Sequence, residues 1–131
     1  MDDSLVGRAF APVGPWLVEA ERVAAFASAT SYAGPGVPPT FPIVLLNDAM
    51  LAFLADVGAR LERIVHGEQR FAWSRPVVVG DSLTATMSVS SLRSLGGADL
   101  IGTLTVLTDA AGEVIGEARA TLVHSAGGTA A

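Results

Sequence analysis

The apolar positions of this chain follow two different periods. Up to about residue 63 they recur at helical spacing, and from Ile64 onward they alternate as in strands. Residues 16–30, WLVEAERVAAFASAT, predict a short strand or turn passing into a helix with a stripe of Val23, Phe26 and Ala27. A loop rich in Gly and Pro, SYAGPGVPPTF (31–41), follows. Thr40 is placed to cap a second helix, with Pro42 in its first turn, where a missing N–H costs little. That helix is predicted from Pro42 to Arg63. Its apolar residues Ile43, Leu46, Met50, Phe53, Leu54, Val57 and Leu61 cover most of its circumference, which predicts a buried helix. Asn47, Asp48, Asp56 and Arg60 mark a narrow exposed or functional side.

The second half predicts strands. IVHGEQRFAW (64–73) is followed by a turn containing Gly80 and Asp81, where Asp81 is expected to bond the backbone. In SLTATMSVSSL the residues Leu83, Ala85, Met87 and Val89 share one face, with Thr and Ser on the other. LIGTLTVLT is the next strand, and DAAGE a hairpin turn. EVIGEARATLVH closes the series; Val114, Gly116, Ala118, Ala120 and Leu122 form a face of small residues that lets a helix approach. An extra strand is expected near Val6–Phe10. Helices followed by a four-stranded antiparallel meander define an α+β chain. A long apolar helix needs a curved antiparallel sheet wrapped around it, which is a single hot-dog fold, predicted over residues 1–124. The small-residue tail 125–131 is expected to be disordered.

Composition narrows the partners. The 131 residues fit one domain, and half of them are hydrophobic, which suggests that part of the apolar surface is covered by another subunit. The net charge is −5 and the eight basic residues, all Arg, are scattered, so nucleic acid is an unsuited partner. An acidic carrier protein needs only a local basic patch and is not excluded. Without cysteine there is neither disulfide nor thiolate chemistry. The acidic start MDDSLVG and the interrupted apolar run 41–54 predict neither a secretory signal nor a membrane span, and a cytoplasmic location is the default.

The segments VGRAF, VAAFASAT, VPPTFP, IVHGEQRFAWSRPVVVGDSL and GEVIGEARATLV resemble, in this order, MaoC-like (R)-3-hydroxyacyl thioester dehydratases and enoyl hydratases, especially their N-terminal-type or small-subunit domains. The resemblance spans residues 6–124 and is most specific in HGEQRF…RPVVVGD. It implies dehydration or hydration of an acyl chain carried by coenzyme A or acyl carrier protein, the substrate bringing its own pantetheine, with no metal or other cofactor. It also implies a homo- or heterodimer with another hot-dog subunit and an acyl tunnel between protomers. Active members carry Asp and His on a loop reading roughly Gly-Asp-x-Asn-Pro-x-His. Here Thr30-Ser31-Tyr32 runs almost directly into VPPTF, and both side chains are missing.

Syn dehydration needs a base for the C2 proton, an acid for the leaving hydroxyl, and stabilisation of the thioester oxygen. The last is expected from backbone N–H groups of Thr40–Ile43 at the start of the central helix. The expected substrate-binding residues are Pro39, Thr40, Phe41, Asn47, His66 and Gly67. Weak candidates for relocated catalysis are His66, an imidazole that titrates near neutrality, and Asp48, a helix carboxylate of the kind some hot-dog thioesterases use. Against them stand a structural role for His66 and a solvated or interface role for Asp48. Tyr32, His124, Phe71 and Trp73 are expected to be packing residues. The sequence thus predicts the substrate-binding subunit of a dehydratase. The alternatives are a stand-alone dehydratase or thioesterase with relocated groups, and a non-enzymatic acyl-thioester binder.

Overall fold

A computed structural model describes residues 3–125. Its elements are β1 (Val13–Leu17), α1 (Ala20–Ala29), α2 (Ile43–Val57), β2 (Ile64–Trp73), β3 (Ser82–Leu95), β4 (Ala98–Thr108) and β5 (Val114–Ser125), with short 3₁₀ turns at Asp3–Leu5 and Leu61–Arg63. The five strands make one antiparallel sheet in the order β1-β3-β4-β5-β2. Helix α2 packs on one face of that sheet, chiefly against β3 and β1. This is the hot-dog arrangement the apolar helix called for. The tail beyond Ser125 lies outside the described residues.

Burial follows the alternation. Leu83, Ala85, Met87 and Val89 of β3 all face the core. Phe53 of α2 is fully buried and meets Phe10 edge-on, ring centroids 5.0 Å apart. Phe41, 1% exposed, lies between the rings of Trp16 and Phe26. Helix α1 buries no residue fully; Val23, Phe26 and Ala27 pack at its inner edge.

Several expectations are corrected. The predicted four-stranded meander is a three-stranded one, β3-β4-β5, and β2 sits beyond β5 at the sheet edge. The eight residues from Ser74 to Asp81 are too long for a tight hairpin and instead cross the ends of β5 and β4. The first strand is Val13–Leu17, while Val6 and Ala9 make only isolated bridges to β3. Helix α2 ends at Val57 rather than Arg63, because Gly58 takes the left-handed conformation (φ 72°) that stops a helix. Its first turn is capped by Pro42, without a side-chain bond from Thr40. One side of α2 is open, exposing Val44 and Leu51, so the helix is not buried all round. On β5, Gly116 makes room for Trp73 and not for a helix, since a Cβ there would run into the indole. Val114 points outward and Ile115 inward, because the register of β5 against β4 slips by one residue at this point.

An ionic clamp secures the crossover. Arg75 donates Nη1 and Nη2 to both carboxylate oxygens of Asp81, at 2.9 and 3.0 Å, and Nη2 reaches Asp109 at 3.3 Å. Asp81 also accepts the Val78 N–H, as its turn position foretold. Asp109 accepts the N–H groups of Ala111 and Glu113 in the β4–β5 turn. The Arg75 hydrogen bond holds the Asp81 carboxyl below its ordinary pKa, and the Glu113 backbone bond does so for Asp109. A lowered pKa contributes stability that is present above the unfolded carboxyl value, about 4, and is lost as pH falls through the folded one. Asp81→Asn is therefore expected to cost about 1–2 kcal/mol at neutral pH, the guanidinium being part solvated. Thermal melts from pH 6 to 3 should show a weaker acid dependence in the variant than in the wild type. Parallel pH curves would contradict the clamp.

Candidate functional site

The small face of β5 is the floor of a cavity under α2. Ala118 and Ala120 leave a trough between β4 and β2, because neither fills the width between helix and sheet. Thr103 and Thr105 of β4 form one wall, being register partners of Ala120 and Ala118. Gln69, opposite Ala120, and His66, opposite Leu122, form the other. Helix α2 roofs the trough with Ile43, Leu46, Asn47 and Met50. The cavity volume is about 80 Å³, room for a few heavy atoms.

A bulge shapes the β2 wall. His66 and Gln69 are three residues apart, so regular pleating would send them to opposite faces. The register shifts at Gly67, one residue drops out of the pairing, and both side chains reach the same face. There His66 Nε2 lies 2.9 Å from Gln69 Oε1. The contact ties the imidazole to the amide, with the donor and acceptor roles set by the imidazole tautomer.

The expected binding residues separate. His66 and Asn47 line the cavity. Gly67 contributes the bulge. Phe41 is buried in the aromatic core and does not line the cavity. Pro39 borders a different cavity of about 340 Å³, between the Val37–Pro39 loop and the β2–β3 crossover. Thr40 is exposed and lines neither. Asp48 is exposed on the side of α2 away from the cavity lining, so it does not join His66.

The expected oxyanion site is also changed. The Phe41 N–H bonds Pro38 O, the Ile43 N–H bonds Thr40 O, and Pro42 has no N–H. The tight turn before α2 thus uses most of the donors that were to hold a thioester oxygen. At the far end of the sheet, sequence reasoning passed over a carboxylate beside an imidazole: buried Asp99 is the register partner of His124. The Ser94 hydroxyl bonds Asp99 at 2.7 Å and is the first cause of its lowered pKa. Neither residue lines the cavity. Among the described residues, no cluster of three or more His, Asp or Glu could hold a metal, and no helix is long and apolar enough to cross a membrane.

A helix over a curled five-stranded sheet, with a part-polar trough between them, defines a hot-dog protein of the MaoC-like dehydratase kind. Residues 4–118 match the FAS1-like dehydratase domain region, and the chain belongs to that family. A UPF0336 protein of Leifsonia xyli subsp. xyli is 38% identical, covering 94% of this chain and 95% of its own length. Another, from Cutibacterium acnes, is 38% identical over 92% of this chain and 91% of its own. Among solved structures, a chain of the HadBC (3R-hydroxyacyl-ACP dehydratase) complex of Mycobacterium tuberculosis is similar, with a TM-score of 0.77 and 28% identity, covering 91% of this chain and 96% of that one. A MaoC-like dehydratase matches with a TM-score of 0.72 and 28% identity, over 93% of this chain and 42% of the other.

Proposed function

We propose that this chain is the acyl-binding subunit of an (R)-3-hydroxyacyl-thioester dehydratase or enoyl hydratase acting on an ACP- or CoA-bound chain, and that a second hot-dog subunit supplies the acid and base. The observation that carries this reading is the loop before α2. Residues 30–42 contain no Asp, Glu or His, and the N–H groups of Phe41 and Ile43 at the helix start are bonded within the turn. The match to the Leifsonia protein extends over 141 positions, more than the 131 residues here, so that relative has residues this chain lacks.

The surface supports a partner. Strand β2 is a ten-residue edge, and an open edge of that length invites another strand. Helix α2 covers mainly the β3 and β1 side of the sheet and exposes Val44 and Leu51. A second subunit across β2 would extend the small cavity into a tunnel long enough for an acyl chain.

One observation favours a second reading, a stand-alone enzyme using His66: the imidazole does border the cavity. Its Nε2, however, is occupied by the 2.9 Å contact with the Gln69 amide, and no second acid or base stands beside it in the cavity lining. Co-expression with a MaoC-like hot-dog subunit that has the Gly-Asp-x-Asn-Pro-x-His loop intact should give a one-to-one complex that hydrates a 2-enoyl thioester. His66→Ala in that complex is expected to slow turnover less than about 10-fold, against the 10²- to 10⁴-fold loss of a true general base. Failure to associate, or a loss in the latter range, would reject the subunit role.

A further inference from the structure

A cavity of about 80 Å³ is too small for an acyl chain of any length, and its lining shows where it leads. Gln69 of β2, Ala120 of β5 and Thr103 of β4 are successive register partners, and so are Ala118, Thr105 and Met87 one row along. The trough therefore runs across the strands from the β2 edge to β3, a path of about 14 Å at about 4.8 Å per strand. Met87 stands at its inner end and is 6% exposed.

A second space begins on the other side of Met87. A groove of about 390 Å³ lies between α2 and the N-terminal segment, with Ala9, Phe10, Ala11 and Val13 on one side and Ala49 and Ala52 on the other. Met87 is the one residue that borders both spaces. The helix divides between them by spacing: Leu46 and Met50 face the trough, and Ala49 and Ala52, three residues apart, face the groove. The outer wall is tied to the sheet. The Gly7 N–H donates to Val89 O at 2.8 Å, and the Phe10 N–H to Met87 O at 2.9 Å. At the rim, Arg8 Nη2 meets Asp56 Oδ2 at 2.7 Å, so these two charges neutralise each other. What is left is methyl groups, a valine and a phenyl ring. Such a lining suits alkyl carbon and not an anion.

Methionine suits the place between the two spaces. Its side chain is unbranched, has three rotatable bonds and adapts to irregular gaps in a core. We infer that Met87 is a gate, and that the groove beneath the N-terminal segment is a second acyl compartment. The tail of a long-chain thioester enters across β2, turns the Met87 side chain aside and ends against Ala49 and Ala52. Met87 and the groove behind it thus set the chain length that this subunit retains. The inference rests on the proposed acyl-binding role and adds a site outside the trough.

The test measures binding of the pantetheine thioesters of butanoate and dodecanoate to the full chain, alone and in the complex described above. Wild type should bind the dodecanoyl ligand at least about 10-fold more tightly, the gain expected from burying two or more further methylene groups. Ala52→Phe fills the groove from the exposed side of α2, away from the trough. It should bring the two affinities within about threefold by weakening the dodecanoyl ligand, and change butanoyl binding by less than about twofold. Met87→Phe should do the same by blocking the gate. The Ala52 variant leaves the core untouched, so it decides the outcome if the Met87 variant is unstable. Dodecanoyl binding no tighter than butanoyl binding in the wild type, or a dodecanoyl preference unchanged by Ala52→Phe, overturns this inference alone. If neither thioester binds, alone or in the complex, the acyl-binding role falls and the inference with it.

Discussion

Phe53→Ala is expected to remove about 3–5 kcal/mol of folding stability, the cost of deleting a fully buried phenyl ring and leaving a cavity. The ring stands where α2 meets both the sheet and the N-terminal segment, through its edge-on contact with Phe10. A domain of this size is held together by about 5–15 kcal/mol in all, so the variant would retain only a narrow margin. Urea titration followed by the indole fluorescence of Trp16 and Trp73 measures it. A loss below about 1 kcal/mol would mean that α2 is not the centre of the core, and the position of the trough beneath it would fall with that.

The strands were legible in the sequence because alternation is a local signal. IVHGEQRFAW is β2 from its first residue to its last, and the inward face of β3 is the row read from SLTATMSVSSL. Strand order was not legible. Which strand β2 pairs with is decided by the crossover at 74–81 and by a clamp between Arg75 and Asp109, 34 positions apart. Helix α2 was legible in kind but not in length: Gly58 stood in plain view as a stop, and the apolar residues beyond it drew the helix on.

The site was half legible. His66 and Asn47 line the trough, whereas Phe41 packs in the aromatic core, and an apolar residue at a helix start gives no sign of which side it packs. The Gly67 bulge, which sets His66 and Gln69 on one face, leaves no trace in a simple alternation. Strand β4 actively misleads. Its more apolar row, Leu100, Leu104 and Val106, faces away from the core, and the row with Thr103 and Thr105 faces in. A buried threonine is hidden in a pattern that scores it as a surface residue. That inversion is itself the signal of a polar trough, once the sheet is in view.

The proposed division of labour between subunits carries the second large effect. In the function proposed above the partner subunit supplies both the base for the C2 proton and the acid for the departing hydroxyl, because the loop before α2 of this chain carries no carboxylate or imidazole. Acid–base catalysis contributes about 10²- to 10⁴-fold, so turnover by the lone chain should fall short of the complex by at least about 100-fold. Binding of the acyl thioester should survive in the lone chain, though weakened, because the trough belongs to this subunit. The direct measurement is the hydration rate of a 2-enoyl thioester by the purified chain, by its hot-dog partner, and by the two combined at equal concentration. The account predicts near-background rates for this chain alone and a rate at least about 100-fold higher for the combination. A chain that hydrates the thioester by itself at the combined rate would contradict it.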